Sequence, residues 1–251
     1  MKYPSLMRNH VVLRGREKAL EEFLSQTYEG MAHKRKNSLN SNSEDALTWS
    51  CFDILRNLEP GRKVGVLNEI WEDAYQGKKE SPFSALDDDD IKIEIGKRYT
   101  GSTTDESTEV DASIELPGAL VFFEAKLYSA VSVKTSKHKY DQIARKLRVG
   151  LDNPLGDEDY DFYFILLDIA PRDKLMCRKS KIAAYAPGAG FHDKWKSAWL
   201  FSYYKSGRNN SLKPLKDALE GIQGRDVRQV AKNMGWLTWA DLFKDLLRGM
   251  I

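Results

Sequence analysis

Between Ile91 and Lys126 the residues read as sheet and as little else. Ile91, Ile93 and Ile95 alternate with Lys92, Glu94 and Gly96, the two-residue period that sends successive side chains to opposite faces of a strand. A polar turn, TGSTTDES, follows, and then VDASIEL and ALVFFEAK flank the turn pair Pro117-Gly118. These three segments predict a meander. Val121, Phe122 and Phe123 make its last strand apolar on both faces, which places it inside a sheet. Farther on, DFYFILLDIAP is an unbroken apolar run ended by Pro171, the pattern of another strand covered on both sides. Between them, KYDQIARKL puts Tyr140, Ile143, Ala144 and Leu147 on one helical face. Ahead of the meander, Ser41 and Glu44 have the spacing of a capping box, and Leu47, Cys51, Ile54, Leu55 and Leu58 form an apolar stripe that stops before Pro60-Gly61. The predicted order is helix, three strands, helix, strand, which defines an α/β protein.

The flanks organise around that centre. Leu20, Phe23, Leu24, Tyr28 and Met31 recur at helical spacing over 15–31, and the polar stretch HKRKNSLNSNS follows as a loop. The chain thus divides into an N-terminal helix and loop (1–42), a core (43–170), and a basic, aromatic and helical extension (171–251) packed on the core. Within the extension helices are predicted near 226–234 and 238–247. Trp195, Trp199, Tyr203 and Tyr204 fall at helical spacing and read as core rather than as a base-stacking platform.

With 251 residues, 41% apolar and 30% charged, the chain is long enough and apolar enough for a sizeable core. Its longest stretch without Asp, Glu, Lys or Arg is the eleven residues 182–192. That falls short of the roughly 18 that a membrane span requires. The start, MKYPSLMRNH, lacks the apolar stretch of a secretion signal, and the two cysteines, Cys51 and Cys177, make neither a disulfide framework nor a cysteine-rich zinc site. A cytoplasmic protein with no membrane partner is expected. The net charge of +2 hides a separation of signs: twelve acids against three bases over 80–124, then six bases against one acid over 134–148 and nine against two over 172–208. A solvated face accounts for such runs, and so does a protein that gathers cations at one spot and polyanions around it.

The chemistry gathers at the Pro117-Gly118 turn. If those two residues close a tight hairpin, Leu116 faces Ala119, and counting outward sets Asp111 opposite Glu124. Directly opposed residues stand about 4.5–5.5 Å apart at Cβ, where like charges destabilise unless something positive lies between them, and a divalent cation would serve. Lys126, two residues from Glu124, shares the same face.

VDASIELPGALVFFEAK resembles the signature of the PD-(D/E)xK nuclease superfamily, with Asp111 as the lone acid, Glu124-Ala125-Lys126 as the E-x-K, and Val110 where the motif has proline. The resemblance covers about half the chain. It implies a restriction-endonuclease-like core of order αβββαβ around a mixed central sheet, with extra N- and C-terminal helices. It further implies that Glu44 is the acid at the start of the first helix and Gln142 the glutamine on the helix after the lysine. The implied activity is Mg²⁺-dependent endonucleolytic hydrolysis of DNA, of restriction or phage-defence type, with Mn²⁺ able to substitute. Asp111, Glu124 and the Ala125 carbonyl would hold the metal, and Glu44 would reach it through water or help hold a second ion. Lys126 would orient the attacking water and stabilise the pentavalent transition state. Lys134, Lys137, Lys139, Arg145 and Arg148 would contact the phosphate backbone. A homodimer or a partner subunit is compatible with all of this.

Blander readings stand beside these. Glu44 completes a capping box, Gln142 and Arg145 are helix-surface residues, and the run Lys134, Lys137, Lys139, Lys146 and Arg148 is a solvated face. An RNA nuclease, or a nucleic-acid-binding protein that keeps the fold without hydrolysis, remains an alternative. So does an interaction protein whose hairpin acids bind neither metal nor polyanion. His138 and His192 have no partner at metal spacing, and Gly96 and Gly101 have P-loop spacing but Ser102 stands where its lysine must be.

Overall fold

Strand alternation and turn chemistry build the sheet. In a computed structural model, which describes residues 2–27, 33–127, 129–132, 134, 139–152, 154–156, 160–169, 196–207 and 210–251, the chain is an α/β protein with a five-stranded mixed sheet. Its elements run α1 (Leu6–Asn9), α2 (Glu17–Ser25), α3 (His33–Asn37), α4 (Glu44–Arg56), α5 (Lys63–Tyr75), β1 (Lys92–Thr100), β2 (Ser107–Leu116), β3 (Ala119–Ala125), α6 (Gln142–Leu151), β4 (Asp161–Asp168), α7 (Lys196–Ser206), α8 (Lys213–Ala218), α9 (Val227–Lys232), β5 (Met234–Thr238) and α10 (Trp239–Met250), with a short 3₁₀ turn at Asp88–Asp90.

The strands lie side by side in chain order, β1-β2-β3-β4-β5. The first three are antiparallel, and β3, β4 and β5 are parallel to one another. Leu116 pairs with Ala119 across Pro117-Gly118, and Gly118 takes a φ of +71°, a left-handed value that suits the position after proline in a tight turn. Every residue of β3 is buried because the sheet is covered on both faces. Val121, Phe123 and Ala125 join a core with α2, α4, α5 and α10, whereas Leu120 and Phe122 join a second core with α6 to α9.

Several expectations need correction. A helix absent from the sequence reading, α5, precedes the meander; Val66, Leu67, Ile70, Trp71 and Ala74 are its buried stripe. The helix expected over 15–31 ends at Ser25, and Tyr28 and Met31 lie outside the described residues. Ser43, not Ser41, caps α4, accepting the Ala46 N–H at 3.2 Å. Residues 234–238 form β5 rather than the end of a helix, with Met234 and Trp236 in the second core and Leu237 in the first. Through β5 and α10 the C-terminal third supplies a strand and a covering helix. On α7 the buried residues are Ser197, Ala198, Phe201 and Tyr204, while Trp199 and Tyr203 stack on each other half-buried at 5.3 Å, and Trp195 lies outside the described residues. No helix among the described residues is long and apolar enough to cross a membrane.

One irregularity positions the site. Ile93 and Ile95 of β1 and Ala112 and Ile114 of β2 face the first core, but Tyr99 and Val110 face the second. The change falls between the pairs Ile95↔Ala112 and Lys97↔Val110, where Gly96, at φ +66°, stands opposite Asp111. The left-handed backbone favours glycine there, and a Cβ would also displace the tips of Lys34 and Gln26. The two strands swap faces together at Asp111. There β2 also parts from β3, whose last ladder pair with it is Ala112↔Phe123.

Helices α5 and α10 meet beside a carboxyl that the fold destabilises. Burial, and next the charge of Asp73, push Asp245 up to about 6; Lys244 opposes this, and Glu69 and Asp241 add to it. A carboxyl raised in the folded state keeps its proton there between about pH 4 and 6, after the unfolded chain has lost it. Stability therefore falls as pH rises through that window. Asp245→Asn is expected to stabilise the protein by about 1–2 kcal/mol at pH 7.5, with the gain shrinking toward zero near pH 4, as read from denaturant midpoints of both proteins.

Candidate active site

The opening between β2 and β3 is where the acids collect. Asp111 stands one step past the last pair of the ladder, and its Oδ2 accepts the Ala125 N–H at 2.7 Å, taking over a bond that the strand would have made. Glu124 points toward α6 and is completely buried, at 0% exposure. Its Oε1 lies 2.6 Å from Lys126 Nζ, and its Oε2 is in contact with Lys146 Nζ. Lys146 also lies 3.4 Å from Asp111 Oδ1, so the two acids are joined through one ammonium.

The backbone of Lys126 is clamped by two elements. Its N–H donates to Leu167 on β4 at 2.7 Å, and its carbonyl accepts the indole N–H of Trp239 on α10 at 3.0 Å. Glu44, at the first position of α4, approaches from the other side. Its Oε2 lies 3.9 Å from Lys126 Nζ and accepts the Leu127 N–H at 2.9 Å, while its Oε1 takes the Ser129 hydroxyl. Glu44 therefore hooks the chain that follows the lysine instead of closing a capping box. Asp111, Ala125, Lys126 and Glu44 line one polar cavity of about 670 Å³, whose far wall carries Gln142 and Arg145.

Charge and burial set the protonation states. Burial works to raise the Asp111 carboxyl, but Lys146 first, and then Lys126 and the Ala125 N–H, hold it below its usual value. Burial pushes the Lys146 ammonium down, with Asp111 opposing. Asp45, beside Glu44 and on the same cavity, is raised by burial and by the Asp111 charge.

Other expected site residues divide. Gln142 accepts the Ser132 N–H at 3.1 Å, and Arg145 donates to the Ser132 hydroxyl at 3.0 Å, so both sit at the cavity rim. Lys134 and Lys139 are exposed, and Lys137 lies outside the described residues. Arg148 is 4% exposed and turned inward, its donors spent on Glu106 and on the carbonyls of Ala218 and Glu220. A guanidinium so committed is a structural tie and is not available to a phosphate, which corrects its assignment to nucleic-acid contact. Lys146, read from the sequence as one of a basic run on a solvated face, is instead 1% exposed, and Asp45 carries no role in the sequence reading. The signal for Lys146 was its place on α6 between Ile143 and Leu147, inside the buried face.

The donor set suits a hard cation. Mg²⁺ commonly takes one or two carboxylates and retains waters, and Asp111 and Glu124 offer two beside an open polar cavity. Both oxygens of Glu124 face ammonium nitrogens, Oε1 that of Lys126 and Oε2 that of Lys146. Among the described residues, no group of three or more His, Cys, Asp or Glu side chains is placed to hold a metal ion. Comparison with family models, curated proteins and solved structures gave no match.

Proposed function

We propose that this protein is a metal-dependent phosphodiesterase acting on nucleic acid, with a restriction-endonuclease-like core of order αβββαβ inside its larger sheet. DNA is the polymer that the motif's resemblance favours, in a restriction or defence role. One observation carries the reading: Asp111, Glu124 and Lys126 converge where β2 parts from β3, Asp111 and Lys126 on the wall of a cavity that also holds Glu44 and Glu124 buried in contact with Lys126. An acid pair with a lysine beside it can hold a divalent cation and present a positive charge to a phosphodiester's transition state.

Asp111, Glu124 and the Ala125 carbonyl would hold Mg²⁺ or Mn²⁺, which when bound supplies an acidified water and neutralises charge on the phosphate. Lys126 aims its ammonium at the attacking water and at the negative charge growing on the phosphate oxygens. Its clamped backbone and its contacts with Glu124 and Glu44 fix that aim. Arg145 and Gln142 position the backbone at the rim, and exposed Lys134 and Lys139 add salt-sensitive attraction without reading sequence.

A second reading, nucleic-acid binding without hydrolysis, draws on Lys146, whose ammonium already pairs with both acids. Incubating the protein with supercoiled plasmid, single-stranded DNA and RNA, each with Mg²⁺, Mn²⁺ or EDTA, separates the two. Metal-dependent cutting of a DNA substrate is expected. Retention of the polymer without cutting under any metal would favour the second reading, and cutting of RNA alone would change the substrate.

A further inference from the structure

Of the four oxygens on the two acids, Glu124 buried and Asp111 partly exposed to the cavity, two are spent locally. Asp111 Oδ2 takes the Ala125 N–H, and Glu124 Oε1 faces Lys126. The remaining two, Asp111 Oδ1 and Glu124 Oε2, both point at one atom, the Nζ of Lys146, on a side chain with 1% exposure. These are the oxygens that a hard cation would have to use.

Resting on the proposed function, we propose that the Lys146 ammonium occupies the cation position of this site: it holds the two carboxylates together in the metal-free protein and competes with a divalent ion for the same two oxygens. Charge counting supports this. By formal charge Asp111, Glu124 and Glu44 carry three negatives, and Lys126 and Lys146 offset two of them. A divalent ion added to that group leaves one excess positive charge beside two ammoniums unless one of them gives way. Lys126 is tied by its backbone to β4 and α10 and by its side chain to Glu44 as well as Glu124. Lys146 is tied by its ion pairs to the two contested acids, so it is the group that yields. It acts as a positioning residue and as a threshold for metal loading.

The test is Mn²⁺ binding by calorimetry and thermal unfolding in metal-free buffer, on wild type, Lys146→Met, Lys146→Gln and Asp111→Asn. Both Lys146 variants are expected to bind Mn²⁺ at least about tenfold more tightly than wild type, because a competing charge has gone. Their metal-free unfolding midpoints fall, and Mn²⁺ raises those midpoints further than it raises that of wild type. Lys146→Gln keeps an N–H for Asp111 and serves if methionine prevents folding. Equal or weaker binding in the folded Lys146 variants, with wild type still binding and Asp111→Asn not, overturns this inference and leaves the phosphodiesterase reading standing. No Mn²⁺ binding by any of the proteins overturns both.

Discussion

Glu124→Ala is expected to lower the unfolding free energy by about 3–5 kcal/mol, the usual cost of removing one partner from a buried ion pair. The side chain is wholly buried and is the shared counter-charge of Lys126 and Lys146, themselves 7% and 1% exposed. Without it Lys126 keeps only Glu44, at 3.9 Å, and Lys146 only Asp111, at 3.4 Å, with little solvent to screen the two ammoniums. Burial already pushes Lys146 down, so that residue can shed its proton and contain the loss, which keeps the effect inside that range. For a domain of this size the unfolding midpoint should drop by about 10 °C, a large part of a typical stability margin. Pairing the change with Lys146→Met should recover part of the loss, since the orphaned charge leaves with its partner. A double-mutant cycle in denaturant reads that coupling; strict additivity of the two changes would mean that Glu124 and Lys146 do not interact.

Lys126→Ala is expected to reduce metal-dependent cleavage by at least about a thousandfold, with a much smaller effect on folding. The magnitude follows from removing a preorganised charge aimed at the transition state, for which one lost donor typically costs about 10²–10³ in turnover, and here the same group also orients the water. Folding should suffer less than with Glu124→Ala, because Glu124 keeps Lys146 as a partner. Circular dichroism and unfolding midpoints of the purified variant, beside its cleavage rate, separate the two effects. A variant that stays folded and cuts at the wild-type rate would remove Lys126 from the mechanism.

What could be read from the residues was what depends on short-range periodicity. The alternation in β1, the Pro117-Gly118 turn and the apolar run of β3 point to Asp111 opposite Glu124 with Lys126 on the same face; the ladder stops one pair short, at Ala112↔Phe123, and the two acids meet through Lys146 instead. Features set by distant partners were harder to see. Strand β5 is five residues long with Gly235 inside it, and only its pairing with β4 distinguishes it from a continuation of α9. Lys146 belongs to a basic run by sequence, and its burial appears only when α6 lies against the sheet, where Gly150 lets the ring of Phe162 approach. Arg148, two residues on, misled for the same reason: its partners Glu106, Ala218 and Glu220 are far away in the chain. Helix α5 had a legible stripe, with Gly65 near its start as the one discouraging residue.

The most direct test of the central claim is nicking of supercoiled plasmid by wild type and by Asp111→Asn, followed across a Mn²⁺ titration. Asparagine keeps the shape of the side chain and an oxygen for the Ala125 N–H but removes the charge that faces Lys146 and any bound cation. The account predicts nicking that rises with Mn²⁺ in wild type, vanishes in EDTA and is absent from the folded variant at every concentration. Nicking by Asp111→Asn at the wild-type rate and with the same Mn²⁺ dependence would contradict it.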